Sequence, residues 1–68
     1  IGLSNYEFNS ISQAIKEKLV QTPLTLKDLV DETAHLFAED KVVSVVQWLT
    51  DQHDLAYDEK GLLHWQGK

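Results

Sequence analysis

The segment from Asp40 to Trp65 constrains the fold of this chain more than any other part. Its first half repeats apolar residues at the spacing of one helix face, with about 100° between successive residues. Those residues are Val42, Val45, Val46 and Leu49. In its second half, apolar residues alternate on both sides of Gly61, which indicates two short strands joined by a tight turn. We therefore predict a helix at 39–53 that leads directly into a hairpin at 55–65.

The side-chain pattern of the hairpin also predicts its register. A loop at 59–61 places Gly61 in the left-handed position of a type I turn with a bulge, and it pairs Leu55 with Trp65. Because cross-strand partners point to the same side, one face of the hairpin is then continuously apolar. Its residues are Leu55, Tyr57, Leu63 and Trp65. A loop longer by one residue would mix polar and apolar side chains on that face, so the shorter loop is favoured.

Two shorter helices precede this segment. Apolar residues at helical spacing predict helix 1 at 10–21, after an N-terminal lead-in at 1–9. Ser4 and Ser10 each begin the spacing of a capping box, and the helix start is placed at Ser10 because the clearer apolar pattern follows it. Pro23 ends the helix, since the residue before a proline avoids the helical region.

The remaining boundaries follow from residues that suit helix ends. Thr25 precedes an apolar stripe that predicts helix 2 at 26–35. Glu39 and Asp40 suit the first turn of helix 3, where carboxylates meet the positive end of the helix dipole. Asp54 lies where the chain leaves helix 3, so we expect it to adopt the left-handed conformation that ends many helices.

Charge and composition narrow the classes of partner. The 68 residues form one small domain, with 6 Lys and no Arg against 11 Asp plus Glu, for a formal net charge of −5. Such a chain as a whole repels the phosphates of DNA. Because it has no cysteine, disulfides and thiolate metal sites are excluded, and an intracellular, cytoplasmic location is expected, or a nuclear one in a eukaryote. No apolar run approaches the roughly 20 residues of a membrane span, so no membrane partner is expected.

The order helix, short bridge, helix, turn, helix and hairpin resembles the winged helix-turn-helix superfamily. The resemblance is carried by LTLKDLVDETA, KVVSVVQWLTDQHDL and AYDEKGLLHW, and with helix 1 it covers nearly the whole chain. It implies an α+β fold, mainly α, in which a three-helix core is followed by a C-terminal hairpin wing within a single domain at 1–68. Members of this superfamily include DNA-binding regulators, and also domains that bind only proteins or accompany larger enzymes.

DNA reading by this domain would use helix 3 and the wing. The side chains available for DNA contacts are Lys41, Ser44, Gln47 and, at the tip of the wing, Lys60. Ser and Gln can contact base edges, but Asp40 and Asp51 would face phosphates. Without arginine, no bidentate arginine–guanine contact can form. A nucleic-acid-binding domain of a transcriptional regulator is therefore the second hypothesis, disfavoured by net charge and by the absence of Arg.

The leading hypothesis is a non-catalytic module that mediates protein–protein contacts within a larger chain or complex. Trp48 lies at the flank of helix 3, where a partly exposed Trp would be an interface anchor, while Trp65 is expected to cover the core from the wing. The acidic side chains of the surface would suit a basic partner. The expected interaction surface consists of Val43, Ser44, Gln47, Trp48, Asp51 and Lys60.

The sequence gives no support for catalysis or cofactor binding. It has no glycine-rich phosphate loop and no nucleophile motif, so no catalytic residue, cofactor or metal site is predicted and the chain is not expected to be an enzyme. His35, His53 and His64 fall on different predicted elements and lack the i, i+4 spacing of a helical metal site. A third hypothesis is an accessory domain of a larger enzyme that contributes no catalytic residue of its own.

Overall fold

The computed structural model describes residues 3–67, in which three helices are followed by a two-stranded antiparallel hairpin. The elements are α1 (Asn5–Gln21), α2 (Leu26–Thr33), α3 (Glu39–Asp51), β1 (Leu55–Tyr57) and β2 (Leu63–Trp65). This arrangement confirms the predicted fold class, an α+β domain, mainly α, with a three-helix core and a C-terminal hairpin.

Helix α1 begins earlier than predicted, because the first of the two possible capping boxes is the one that forms. The Ser4 hydroxyl accepts the amide of Glu7 at 3.1 Å, and the Glu7 carboxylate accepts the amide of Ser4 at 3.4 Å. The predicted start at Ser10 was therefore wrong, and positions 5–9 of the predicted lead-in are helical. Positions 1–2 of that lead-in lie outside the described residues. Apolar spacing marked the buried part of the helix and not its full length.

Helix α2 begins where predicted and ends earlier. The Thr25 hydroxyl accepts the amide of Asp28 at 3.1 Å, which caps the first turn. The helix ends at Thr33 and not at residue 35. There the amides of Leu36 and Phe37 both donate to the carbonyl of Thr33, so the chain turns away before another regular helical turn forms.

Helix α3 also ends earlier than predicted, at Asp51 and not at residue 53. The residue in the left-handed conformation is His53, with a φ of 66°, so the expectation for Asp54 was wrong. Asp54 lies one position further along and donates its amide to the carbonyl of Leu49 at 2.9 Å. This bond is characteristic of a Schellman helix end, in which the residue before the donor is the left-handed one.

The hairpin has the predicted register. Its pairs are Leu55 with Trp65, Ala56 with His64 and Tyr57 with Leu63. Gly61 has a φ of 83°, as the predicted bulge requires. One further contact was not predicted. Leu24, just before α2, forms a bridge to Leu63, whose amide donates to the Leu24 carbonyl at 2.6 Å. This bridge ties the hairpin to the helical part of the domain.

The core lies where the three helices meet the hairpin. Its buried apolar side chains are Ile11, Ile15, Leu19, Leu29, Val30, Val42, Val45, Val46, Leu49, Leu55 and Leu63. All four α3 residues that the sequence assigned to one helix face are among them. Trp65 is half-buried and packs against this core, as expected, with the Lys16 ammonium 5.7 Å from its ring centre. The core therefore fixes which sides of α3 remain available to solvent.

Candidate interaction surfaces beside helix α3

Helix α3 contacts α1 on one flank, and α2 and β1 on the other. Its buried side faces the core, whereas Gln47 and Asp51 are exposed. Because its two flanks have different neighbours, they form two distinct surfaces.

The first surface, named here the Trp48 groove, lies between α1 and α3. Trp48 and Phe8 meet edge to face, with ring centres 4.9 Å apart and an angle of 82° between the ring planes. This is a favourable geometry for two aromatic rings, and it holds the indole in place while 46% of Trp48 stays exposed. The groove encloses about 350 Å³ and is lined by Leu3, Ser4, Asn5, Phe8, Ser44 and Trp48.

An ion pair joins the same two helices near the start of α3. The ammonium of Lys41 donates a hydrogen bond to the carboxylate of Glu7 on α1. That bond lowers the pKa of Glu7 and raises the pKa of Lys41, because each charged form is stabilised by the other. Lys41 was predicted to contact DNA, but its charge is directed at α1.

The second surface, named here the acidic face, lies between α2, α3 and β1. It consists of two grooves of about 380 and 170 Å³, and Leu26 lines both of them. Tyr57, which is 49% exposed, borders the smaller groove. The residues of the acidic face are Leu26, Lys27, Val30, Asp31, Glu39, Val43, Val46, Gln47, Thr50, Asp51 and Tyr57.

The carboxylates of the acidic face lack side-chain partners in the part of the chain that the structure describes. The carboxylates of Asp31, Glu39 and Asp51 make no hydrogen bond or ion pair with another side chain of residues 3–67. Lys27 is the one cation among the lining residues. Other carboxylates are paired; for example, the Glu32 carboxylate lies 3.2 Å from the ammonium of Lys18. The acidic face therefore presents an uncompensated negative charge beside apolar side chains.

The tip of the hairpin has a polar network of its own. The Asp58 carboxylate accepts the amides of Lys60 at 2.8 Å and Leu62 at 2.9 Å, and it lies 2.7 Å from Nε2 of His64. The hydrogen bond to His64, followed by the bond from Leu62, lowers the pKa of Asp58. Sequence reasoning missed this network, although an Asp three residues before a glycine is typical of a type I turn.

The structure divides the predicted interaction surface in two. Val43, Gln47 and Asp51 belong to the acidic face. Ser44 and Trp48 line the Trp48 groove, and Lys60 lines neither surface. Sequence reasoning missed the contribution of α1 to the Trp48 groove, and those of α2 and of Tyr57 to the acidic face. The signal for them was weak, because residues such as Phe8, Leu26 and Tyr57 have the pattern of ordinary core positions.

Within residues 3–67, no three His, Asp or Glu side chains come together in a way that could hold a metal ion. None of the helices described there is both long enough and apolar enough to cross a membrane.

Comparisons of this chain with protein families, with curated proteins and with solved structures gave no match. Because a fold alone does not specify a function, the chemistry of the two surfaces beside α3 is what indicates one.

Proposed function

We propose that this chain is a non-catalytic interaction module of the winged-helix type, in which the surfaces beside α3 bind a partner protein within a larger chain or complex. The acidic face carries the proposal. Where a DNA reader of this type would present cations to phosphates, this domain presents three carboxylates without partners in residues 3–67, next to apolar side chains. The three helices followed by a hairpin support a relationship to the winged helix-turn-helix superfamily.

Trp48 supports a protein partner independently. Trp is enriched among the residues that dominate binding energy at protein interfaces. The edge-to-face contact with Phe8 holds the indole in one orientation, so little side-chain entropy remains to be lost on binding. A partner that covered the exposed half of Trp48 would therefore gain contact area at a low entropic cost.

The same charges argue against DNA as the partner. Lys41 is hydrogen-bonded to Glu7, and Lys60 lies at the hairpin tip directly after Asp58 and Glu59. A phosphate close to Gln47 would also approach the carboxylate of Asp51, and two like charges about 4 Å apart repel by roughly 1 kcal/mol even in water. Binding to DNA would therefore need cations from outside this domain.

Photo-crosslinking in the cells that make the protein tests the proposal. A photoreactive amino acid replaces Gln47, which is exposed on the acidic face, or as a control Gln13, which is exposed on α1. We expect adducts at position 47 that protease digests and nuclease does not, with a much lower yield at position 13. Nuclease-sensitive adducts at position 47 would refute a protein partner, and so would equal yields at the two positions.

A titration with duplex DNA at low salt gives the nucleic-acid alternative its best chance, because low salt strengthens any attraction to phosphates. The backbone amide resonances of Ser44, Gln47 and Lys60 are the readout. We expect them to stay unmoved. Shifts concentrated on these residues would make the domain a DNA reader despite its charge.

A further inference from the structure

The acidic face is one continuous surface and not two separate hollows. Leu26 lines both grooves, and Val43 and Gln47 are one helical turn apart on α3. From Val43 to Thr50 the helix rises roughly 10 Å, which matches about two turns of a partner helix. Tyr57 of β1 borders the surface at the hairpin end. The apolar floor is therefore long enough for a short helical or extended segment.

Negative charge borders this floor along its length. Asp31 and Glu39 line the groove between α2 and α3, and Asp51 lines the groove beside the hairpin. Three carboxylates against the single ammonium of Lys27 leave the face negative. Since none of the three has a side-chain partner within residues 3–67, a bound cation would not have to displace an existing ion pair.

Building on the proposed function, we propose that the acidic face binds a basic amphipathic segment of a partner protein, in which lysine or arginine side chains flank leucine-like ones. The apolar side chains of that segment lie over Leu26 and Tyr57, as in the docking of a helix into a groove. Its cations reach Asp31, Glu39 and Asp51. Apolar contact supplies most of the affinity, while charge complementarity selects the partner and speeds the encounter.

A second copy of this chain does not fit the acidic face. In a two-fold dimer the face would meet itself, and like-charged carboxylates would be brought together. Each chain also carries a formal net charge of −5, which opposes self-association. The occupant must therefore be a chain of opposite charge.

A peptide titration followed by backbone amide NMR tests this inference. The probe is a synthetic leucine–lysine peptide that forms an amphipathic helix of about four turns. Two matched probes serve as controls: one has the same composition in an order without an apolar stripe, and one has glutamate in place of lysine. We expect saturable shifts at Leu26, Val43, Gln47 and Tyr57 with the first probe only.

A charge-matched pair of variants separates the acidic face from general attraction to an acidic protein. The test variant carries Asp31→Asn, Glu39→Gln and Asp51→Asn. The control variant loses the same charge elsewhere, through Glu17→Gln, Glu32→Gln and Glu59→Gln. Because single surface charge contacts are weak, we expect about tenfold weaker binding in the test variant from three losses together, and less than about twofold weakening in the control. Equal weakening in both would overturn the inference.

The outcomes also separate this inference from the proposed function. Peptide shifts confined to Phe8, Ser44 and Trp48 would overturn the acidic face as the docking surface while leaving a protein-binding role intact. Absence of binding by the leucine–lysine probe would overturn the basic amphipathic partner, and the crosslinks at position 47 would still decide whether the domain binds a protein at all. Duplex DNA that moves the same acidic-face resonances would overturn both.

Discussion

The two flanks of α3 use similar side chains in opposite ways. In the Trp48 groove an aromatic ring packs on Phe8, and nearby the Glu7 carboxylate is bonded to Lys41. On the acidic face Tyr57 is half-exposed, and carboxylates such as Asp51 have no side-chain partner within residues 3–67. The first flank holds α1 against α3 through paired side chains, whereas the second leaves its carboxylates without side-chain partners within residues 3–67. Tertiary neighbours, and not residue type, determine this difference.

Aromatic truncation should give the largest contrast between the flanks. We expect Phe8→Ala to lower the free energy of unfolding by about 2 to 3 kcal/mol, because the ring packs against both the core and Trp48. Tyr57→Ala should cost less than about 1 kcal/mol, since half of that side chain is already in water. Urea denaturation followed by circular dichroism measures both values.

The two truncations control for each other, because each removes one aromatic ring from a surface beside α3. Similar losses of stability would show that the acidic face is as much a part of the core as the Trp48 groove. That result would contradict the comparison. A loss of stability confined to Phe8→Ala would confirm that the two flanks differ in their contribution to the core.

Helix caps should show that the backbone is equally well formed on both flanks. Ser4 caps α1 beside the Trp48 groove, and Thr25 caps α2 beside the acidic face. We expect Ser4→Ala and Thr25→Ala each to cost about 1 kcal/mol, because each removes the acceptor for an otherwise unsatisfied helix amide. Denaturation midpoints, together with hydrogen exchange of the first-turn amides, measure this. A negligible loss of stability for Thr25→Ala alone would mean that the first turn of α2, beside the acidic face, is poorly ordered.

The sequence predicted the fold more fully than the surfaces. The register of the hairpin followed from alternation around Gly61, and the buried side of α3 followed from helical spacing, because both patterns are local. The left-handed conformation of His53 after α3 was missed because it was expected at Asp54, and neither residue is glycine. The bridge from Leu24 to Leu63 joins residues far apart in sequence, and no local pattern records it.

The candidate site was predicted only in part for the same reason. Helical spacing correctly placed Gln47 and Trp48 outside the buried side of α3, but it could not show that they belong to different surfaces. The pairing of Lys41 with Glu7 joins α3 to α1 and was not predicted. Such pairs depend on how helices cross, which spacing within one helix does not specify.

A change of pH should affect the Glu7–Lys41 pair in two known directions. The pKa of Glu7 is lowered from 4.5, so its contribution to stability is present above about pH 4.5 and is lost as the pH falls through the folded pKa. The pKa of Lys41 is raised from 10.5, so its contribution is present below that pH and is lost as the pH rises through the folded pKa. Between these limits the pair stabilises the folded state.

Glu7→Gln tests this prediction, because glutamine can keep the capping contact with Ser4 while the charge is lost. We expect a small decrease in the urea midpoint near neutral pH, and the difference from the unmodified chain should shrink in acid, as the Glu7 carboxylate is protonated and becomes neutral like the glutamine. Denaturation at about pH 7 and about pH 3 measures it. A difference that persists in acid would point to a packing defect and not to the ion pair.

Neutralising the acidic face should have the smallest effect on stability. We expect Asp31→Asn, Glu39→Gln and Asp51→Asn together to change the free energy of unfolding by no more than about 0.5 kcal/mol, because surface changes without partners cost little. Glu39 lies in the first turn of α3, so Glu39→Gln removes a favourable interaction with the helix dipole. The three substitutions together also remove repulsion between carboxylates, which offsets that loss. Urea denaturation at low and high salt measures this. A loss as large as that of Phe8→Ala would mean that these carboxylates hold the domain together. A change within about 0.5 kcal/mol would instead agree with the proposal that these carboxylates act in binding a cationic partner, because they would then have little part in folding.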